Sequence, residues 1–384
     1  MTSAAQPALG GWEARLLAVI AATLTVFGVA AVYGASSLVA VQRGEPGSAF
    51  ALRQLAGAVA GGLVFLVAAR MDYHAWQRLA WPLLGLAAAA LAVPYLPVAR
   101  ALAPEINGAR RWVDLGFVMV QPSEFAKYAV VVWTAMLATK KGEGVREFRR
   151  GLLPFLVILG PLSALVLFQP DLSTALDIGL LAGIVLFTAG ARIGHFLLLL
   201  LVAVPLLWRE IVTVQYRLSR VLTFLSPGGD VQETSWQITQ SLIGMGAGQV
   251  IGVGFGQGQQ KLGYLPYAYS DFIFSTIGEE WGFLGVCVIA LLFAMFIGLG
   301  FRIARAAPDG FGLLLGVGLT VLIGAAAILH MAVTLALVPT TGLPLPFVSY
   351  GRSNLLISML AAGVLVSIAA PSRRSVPARI RAGQ

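Results

Sequence analysis

The chain has 384 residues, of which 58% are hydrophobic and only 11% are charged. About a quarter of the residues in a soluble domain are charged, so this composition excludes a water-soluble protein and predicts a polytopic membrane protein. The net charge of +9 is spread over short loops and the C-terminal tail, which favours topogenic charge over a nucleic-acid-binding patch. The single cysteine, Cys287, permits neither an intrachain disulfide nor a cysteine-based metal site.

Apolar runs of membrane-spanning length follow one another along the chain. A helix needs about 20 predominantly apolar residues to cross a bilayer. We therefore predict an all-α fold of about ten transmembrane helices, at residues 15–41, 50–69, 79–98, 122–139, 151–168, 172–189, 194–212, 272–300, 311–338 and 348–370. Residues 1–384 then form a single transmembrane domain, with a short N-terminal segment at 1–14 and a basic tail at 371–384.

Lysine and arginine residues predict the orientation. The densest positive charge lies in the loop KKGEGVREFRR (140–150) and in the tail segment RRSVPARIR (373–381), on the side of both termini. The positive-inside rule places that side in the cytoplasm. Residues 1–12 contain no basic residue, and the first apolar run is long enough to remain as a span, so no cleavable signal peptide is expected.

Two large loops are predicted on the opposite, extracytoplasmic side, at about 99–121 and 213–271. The second joins helices 7 and 8, and its segment Ser235 to Ile243 has the apolar spacing of a helix lying at the membrane interface. The following stretch GVGFGQG, Gly252 to Gly258, lacks the third glycine of a dinucleotide-binding loop and has no βαβ context. We interpret it as a close-packing or re-entrant loop.

Ionisable residues inside spans are rare and functional by default. They comprise Glu124, Lys127, Asp177, Glu279 and Glu280, with Asp171 and Asp271 at span edges. Glu124 and Lys127 are three residues apart on one predicted helix, so their side chains can meet. Two interpretations stay open for this pair: a structural ion pair, or a pair that lines a hydrated cavity.

Asp271 precedes the eighth span, where the helix dipole favours an anion. We expect its carboxylate to be ionised and to face the water outside. An exposed carboxylate beside a loop cavity suits a general base, whereas the alternative is an N-cap aspartate without a chemical role. On the same helix, one of Glu279 and Glu280 can approach the face that carries Asp271, and the other points elsewhere.

Four ordered segments of the sequence resemble those of one known family. They are NGARRWVDLGFVMVQPSEFAKYA (107–129), FQPDLSTAL (168–176), QKLGYLPYAYSDFIFSTIGEEWGFLG (260–285) and VPTTGLPLPFVSYGRSNLL (338–356). Over about residues 15–370 the chain resembles the SEDS family (shape, elongation, division and sporulation), which includes FtsW, RodA and the sporulation homologue. The NGARRW form and the QKLGYLP block resemble FtsW more than RodA.

This resemblance implies a peptidoglycan glycosyltransferase in the bacterial cytoplasmic membrane, with both termini cytoplasmic. Such enzymes polymerise lipid II into glycan strands at the outer membrane face, during cell division or elongation, with a class B penicillin-binding protein as partner. The resemblance also implies a divalent cation, Mg²⁺ or Mn²⁺, held largely by the substrate pyrophosphate, and no organic cofactor. The reaction inverts the anomeric centre, so a single carboxylate base suffices.

The resemblance assigns roles residue by residue. It implies that Asp271 is catalytic and that substrate-binding residues are Arg111, Glu124, Lys127, Asp171, Lys261 and Ser349. No metal-binding residues are expected, and Glu279 and Glu280 are interpreted as structural. Basic residues expected outside the membrane, as candidates to contact the leaving pyrophosphate, are Arg110, Arg111, Arg217, Arg220 and Lys261.

The chain departs from the family pattern at several positions, most clearly in SYGRSN, where Arg352 and Asn354 stand at sites that are commonly small. The irregular run PTTGLPLPFVSYG (339–351) forbids a continuous helix and predicts a loop packed against protein or facing a cavity, rather than a simple turn. Two other functions remain alternatives: a lipid II flippase, and a non-catalytic scaffold for the penicillin-binding protein. A scaffold would not need Asp271.

Overall fold

The structure is a computed structural model that describes residues 11–96, 102–106, 108–116, 118–225 and 233–370. The basic tail 371–384 and most of the N-terminal segment 1–14 lie outside these residues. Twelve α-helices are described: α1 (Trp12–Gln42), α2 (Ala49–Arg70), α3 (His74–Ala92), α4 (Pro122–Lys141), α5 (Leu153–Phe168), α6 (Leu172–Thr188), α7 (Ile193–Val212), α8 (Gln215–Leu225), α9 (Glu233–Ala247), α10 (Ile273–Arg305), α11 (Gly310–Thr334) and α12 (Arg352–Ala369).

The all-α prediction is confirmed, and each of the ten predicted spans coincides with a helix. Eight helices are long and apolar enough to cross a membrane, while α6 is apolar but shorter. The tenth, α4, has the length of a span but carries Glu124 and Lys127. The count of ten membrane crossings therefore stays a prediction.

The helix boundaries differ from the predicted ones by a few residues at several ends. Helix α3 ends at Ala92 and passes into a 3-10 turn over Val93–Tyr95, because the ring of Pro94 cannot continue an α-helix. Helix α11 ends at Thr334 and α12 begins at Arg352, so the predicted irregular loop is confirmed and is longer than expected.

Small residues let the helices approach closely. In α2, Gly57 and Gly61 lie against Arg352 and Met359 of α12, where an added Cβ would come within 3.1 Å of each side chain. Lipid tails are as apolar as leucine, so helices in a membrane associate through such close contacts rather than through the hydrophobic effect. The helices α11 and α12 are largely buried, whereas no residue of α7 is buried.

Helix α10 is broken at Gly282, whose φ is 66°. The N–H groups of Phe283 and Leu284 donate to the carbonyls of Gln249 and Val250, at 2.8 and 3.1 Å. In return, the carbonyls of Glu279 and Glu280 accept from the N–H groups of 253 and 254 at 3.0 and 3.1 Å. The glycine-rich segment thus forms hydrogen bonds with the backbone N–H and C=O groups that the break leaves without helical partners, as an apolar setting requires. The interpretation of this segment as a close-packing loop is confirmed.

Two short helices precede this segment. Helix α9 contains the predicted Ser235 to Ile243 helix and packs on α10 through the Ser275 hydroxyl, which donates to the Ser241 carbonyl at 2.8 Å. Helix α8 was not predicted, although its residues Leu218, Val221, Leu222 and Leu225 have amphipathic helical spacing. A two-stranded ribbon between α3 and α4 pairs β1 (Val113–Asp114) antiparallel with β2 (Met119–Val120).

Candidate active site at the start of helix α10

Asp271 lies in a tight turn immediately before α10. Its backbone N–H donates to the Tyr267 carbonyl at 3.1 Å. The N-cap residue of α10 is Phe272, and no side chain caps this helix end. The interpretation of Asp271 as an N-cap residue is therefore wrong.

The Asp271 carboxylate is half-buried rather than exposed, which corrects the expectation that it faces open water. A Cβ placed on Gly342, in the α11–α12 loop, would lie 3.6 Å from Oδ2 of Asp271, so this loop forms one wall beside the carboxylate. Burial raises the pKa of the Asp271 carboxyl to about 6, although a hydrogen bond from Ser270 and the charge of Arg220 act in the opposite direction.

Ser349 ties the α11–α12 loop to the turn that holds Asp271. Its hydroxyl donates to the Ser270 carbonyl at 2.6 Å and accepts from the Leu345 N–H at 2.8 Å. The next residue, Tyr350, donates its N–H to the Tyr269 carbonyl at 3.0 Å. Ser349 is buried and both its hydrogen bonds go to backbone, so the structure gives it a positioning role; its predicted substrate contact stays a prediction.

Two buried polar side chains hold the same loop from the helix side. Gln54 of α2 donates to the Ser349 carbonyl at 3.0 Å and accepts from the Gly351 N–H at 3.3 Å. His330 of α11 contacts the Leu343 carbonyl through Nδ1 at 2.8 Å. Sequence reasoning missed Gln54, although an amide within an apolar span was a visible signal.

Arg220 reaches the site from α8. Its Nη1 donates to the Thr340 carbonyl at 3.0 Å, in the same loop that passes Asp271. Arg220 was among the basic residues expected outside the membrane. The structure adds the helix that positions it and its electrostatic influence on Asp271.

Glu124, Lys127 and Asp177 form a buried charged cluster between α4 and α6. The Lys127 ammonium lies 2.9 Å from a Glu124 oxygen and 3.4 Å from an Asp177 oxygen. Asn354 of α12 donates to the second Glu124 oxygen at 3.1 Å. The predicted contact between Glu124 and Lys127 is confirmed, and the buried cluster joins three helices; the substrate contacts predicted for Glu124 and Lys127 stay predictions.

Arg111 and Asp171 meet at the turn between α5 and α6. The Arg111 guanidinium donates to the carbonyls of Gln169 and Pro170, at 2.8 and 2.7 Å. Asp171 is the N-cap of α6 and accepts from the Thr174 N–H at 3.1 Å. These contacts anchor the first outer loop, and the predicted substrate contacts of both residues stay predictions.

Lys261 is buried and paired with Glu280 at 2.7 Å. Its burial corrects the expectation that Lys261 is exposed outside the membrane; its predicted substrate contact stays a prediction. Its neighbour Glu279 accepts from the Gln259 N–H at 2.7 Å. The structural interpretation of Glu279 and Glu280 is confirmed, since both bind the segment next to the α10 break.

The predicted site residues thus fall into separate groups. Asp271 and Ser349 lie together, Glu124 lies with Lys127, Arg111 lies with Asp171, and Lys261 stands apart with Glu280. Two hydrogen bonds join the start of α4 to α12, which follows the Ser349 loop: the Gln121 N–H donates to the Ser353 hydroxyl at 3.0 Å, and Asn354 donates to Glu124. Within the described residues, no group of three or more His, Cys, Asp or Glu is arranged to hold a metal ion.

Comparison with known proteins settles the family. The family model FTSW_RODA_SPOVE, described as cell cycle protein, matches residues 14–374. The chain belongs to this family. The resemblance seen in the four sequence motifs is confirmed.

Relatives within the family match nearly the whole chain. The probable peptidoglycan glycosyltransferase FtsW of Trichlorobacter lovleyi is 42% identical over 362 residues, which is 94% of each chain. The stage V sporulation protein E of Bacillus subtilis is 35% identical, over 93% of this chain and 97% of its own.

Solved structures share the fold. A chain of a peptidoglycan synthase complex, described in terms of structural coordination of polymerization and crosslinking, matches with a TM-score of 0.74 at 26% identity, over 92% of this chain and 96% of that one. The rod shape determining protein RodA of Thermus thermophilus matches with a TM-score of 0.65 at 26% identity, over 92% of this chain and 95% of its own.

Proposed function

We propose that this family member is a peptidoglycan glycosyltransferase that polymerises lipid II at the outer face of the bacterial cytoplasmic membrane, with Asp271 as general base. The observation that carries this proposal is the half-buried Asp271 carboxylate, placed at the start of a long apolar helix and against a loop held by several buried polar contacts. A carboxylate whose pKa is raised to about 6 is ionised near neutral pH and basic enough to accept a proton. The FtsW relatives, which are named probable peptidoglycan glycosyltransferases, support the same reaction class.

In the proposed reaction, Asp271 takes the proton from the attacking hydroxyl of the acceptor sugar. The oxygen of that hydroxyl bonds to the anomeric carbon of the donor, and the bond to the pyrophosphate breaks with both electrons leaving on the pyrophosphate. Attack from the opposite face inverts the α-linkage to a β-linkage. One carboxylate base is enough for such a displacement, since no covalent enzyme intermediate forms.

Several side chains fix the base rather than touch the sugar. Ser349, Gln54 and His330 hold the loop beside Asp271 in place. Glu124, which is paired with Lys127, joins α4 to α12 through Asn354, and the first turn of α12 follows this loop. We assign these residues positioning roles, because a misplacement of a catalytic group by about 1 Å can lower a rate about 100-fold.

The leaving pyrophosphate requires positive charge. Arg220 lies close enough to influence Asp271, and Arg352 stands half-buried at the start of α12, directly after the loop. We propose these two arginines as pyrophosphate contacts, since one guanidinium group can donate two parallel hydrogen bonds to the oxygens of a phosphate. A divalent cation carried by the pyrophosphate would add further charge neutralisation without a carboxylate ligand from this chain.

The partner and the cellular location are part of the proposal. We propose that a class B penicillin-binding protein docks through its single membrane span on the apolar outer faces of the later helices. Both termini are proposed to be cytoplasmic, which places the α11–α12 loop and Asp271 outside. The peptidoglycan synthase complex with a similar chain supports a multi-protein assembly.

The decisive experiment compares purified wild-type and Asp271→Asn protein in liposomes that contain lipid II, with and without Mg²⁺ and the cognate penicillin-binding protein. Glycan length is read on a gel. We expect polymer from the wild type and at least about 100-fold less from Asp271→Asn. Asp114→Asn is the matched control, since an asparagine there keeps the oxygen that accepts from the Gly116 N–H at 2.8 Å.

The same experiment separates the alternative functions. Equal polymer from wild-type and Asp271→Asn protein would remove Asp271 from the mechanism. No polymer from any of the proteins, with partner and cation present, would favour the flippase or the scaffold, which do not form glycosidic bonds.

A further inference from the structure

An apolar groove lies between α3, α4 and α5, away from the candidate active site. Its volume is about 410 Å³, and its lining is almost entirely apolar, with residues Trp81, Trp133, Leu137, Leu153, Val157 and Ile158 among its walls. Trp81 and Val157 are 54% and 60% exposed. The groove therefore opens at the outer surface of the helix bundle, and its apolar lining suits a hydrocarbon chain.

The position of the groove along α4 places it near the opposite membrane face from Asp271. The first residues of α4 lie next to α12 at the active-site side, through the contact of Gln121 with Ser353. Lys141, the last residue of α4, lines the groove. Twenty residues of helix span about 30 Å, which is the thickness of the bilayer core.

A basic loop borders the polar end of the groove. Residues 140–150 contain five basic and two acidic side chains, namely Lys140, Lys141, Arg146, Arg149 and Arg150 against Glu143 and Glu147. Lys141 donates a hydrogen bond to the Arg150 carbonyl, which holds the loop at the groove and leaves the ammonium charge unneutralised. Arg150 itself is 82% exposed and only loosely paired with Glu147, at 3.8 Å.

The groove wall also contains an unused donor. Trp133 is completely buried and stacks edge-on against Trp81, with ring centroids 5.4 Å apart. Within the described part of the chain, its indole N–H has no acceptor. A buried N–H without an acceptor is rare in proteins, but this one is enclosed by protein and does not contribute to binding in the groove.

We propose that this groove is a binding site for an anionic phospholipid of the leaflet opposite the candidate active site. One acyl chain occupies the apolar groove, and the phosphate group contacts Lys141 and the neighbouring basic loop. A net positive rim selects an anionic headgroup over a zwitterionic one. The proposal does not depend on the glycosyltransferase activity, and it concerns a lipid that is not a substrate.

The test is native mass spectrometry of the full-length protein from mixed micelles with equal amounts of phosphatidylglycerol and phosphatidylcholine. We expect wild-type protein to retain phosphatidylglycerol at least about fivefold over phosphatidylcholine. Val157→Trp fills the groove without changing charge, and the double variant Lys141→Gln, Arg150→Gln removes charge from the rim. Both are expected to abolish the preference.

The matched control is Arg305→Gln, an exposed arginine at the end of α10. It lies on the same membrane side, since Gly310, at the start of the following helix, lies near Thr139 of α4. We expect Arg305→Gln to keep the preference for phosphatidylglycerol. If Arg305→Gln lost the preference for phosphatidylglycerol to the same extent, the effect would come from general surface charge. If Val157→Trp retained phosphatidylglycerol as the wild type does, the lipid would bind elsewhere. Either result overturns the proposal.

Discussion

At the scale of single residues, the carboxylates within the helices contrast with Asp271. Glu124 and Glu280 lie in the helices and are each within 2.9 Å of a lysine. An unpaired charge in an apolar interior is strongly unfavourable, so these groups need their partners to remain there. Asp271 instead lies outside the helix, half-buried beside a loop, where its protonation can change near neutral pH.

The raised pKa of Asp271 predicts how activity depends on pH. The carboxylate accepts a proton only when it is ionised, and its pKa is about 6. We therefore expect the polymerisation rate to be constant above pH 7 and to fall about tenfold per unit below pH 6. Initial rates with fluorescent lipid II between pH 4.5 and 8 check this; a rate that stays flat down to pH 4.5 would contradict it.

Asn354 predicts a stability effect in the buried charged cluster. Asn354→Ser removes the hydrogen bond to the Glu124 carboxylate, and we expect a loss of about 1.5–3 kcal/mol in the free energy of unfolding. Asn354→Asp places a carboxylate at the same point, next to Glu124, and we expect a larger loss. Unfolding in detergent measures both variants, and an aspartate variant as stable as wild type would refute the predicted order.

At the scale of elements, the break in α10 determines how the glycine-rich segment before this helix packs. The glycine-rich segment does not form a separate site; it replaces the missing helical hydrogen bonds around Gly282. Gly252 has a φ of +84°, and a Cβ there would lie 2.2 Å from the Glu280 carbonyl oxygen. Glycine is therefore required at position 252, because the space admits no side chain and because glycine adopts a positive φ without strain.

Gly282→Ala is expected to be severely destabilising. A Cβ at this position would lie 2.3 Å from the Gly252 nitrogen, at a φ of 66°. The combined steric and conformational cost is about 2–5 kcal/mol. Gly298→Ala is the matched control in the same helix, because a Cβ there meets nothing within 4 Å.

Thermal unfolding of the two purified variants tests this prediction. We expect a clear decrease in midpoint for Gly282→Ala and none for Gly298→Ala. Equal midpoints for the two variants would mean that the break in α10 accommodates an alanine side chain at position 282, which would contradict the prediction.

At the scale of the whole molecule, the membrane topology determines which side of the membrane each end of the helix bundle faces. The candidate active site and the basic α4–α5 loop are separated by the length of α4. The ten predicted crossings place these two regions on opposite sides of the membrane, with the basic loop in the cytoplasm.

Cysteine labelling of intact cells measures this topology. Cys287, the only cysteine, is first replaced by serine, and Leu262→Cys or Glu143→Cys is then introduced at an exposed position. We expect a membrane-impermeant maleimide to label Leu262→Cys in intact cells and Glu143→Cys only in inverted vesicles. Labelling of both from the same side would contradict the ten-span topology.

Much of this protein follows from the sequence alone. Each span requires about 20 apolar residues, so the lengths of the apolar runs determined the all-α class and all ten long helices. The three-residue spacing of Glu124 and Lys127 determined their contact, because neighbouring turns of a helix bring such residues together. The four motifs determined the family, which the matching family model supports.

Other features were decided only by the tertiary structure, because they depend on residues far apart in the chain. Lys261 pairs with Glu280, and Ser349 with the Ser270 carbonyl, once the loops have folded onto α10. The break at Gly282 requires the backbone of Gln249 and Val250 as a partner, and no local pattern encodes that partner. The exposure of Asp271 likewise depends on the α11–α12 loop, about 70 residues away, so its burial and raised pKa come from packing and not from its own sequence neighbours.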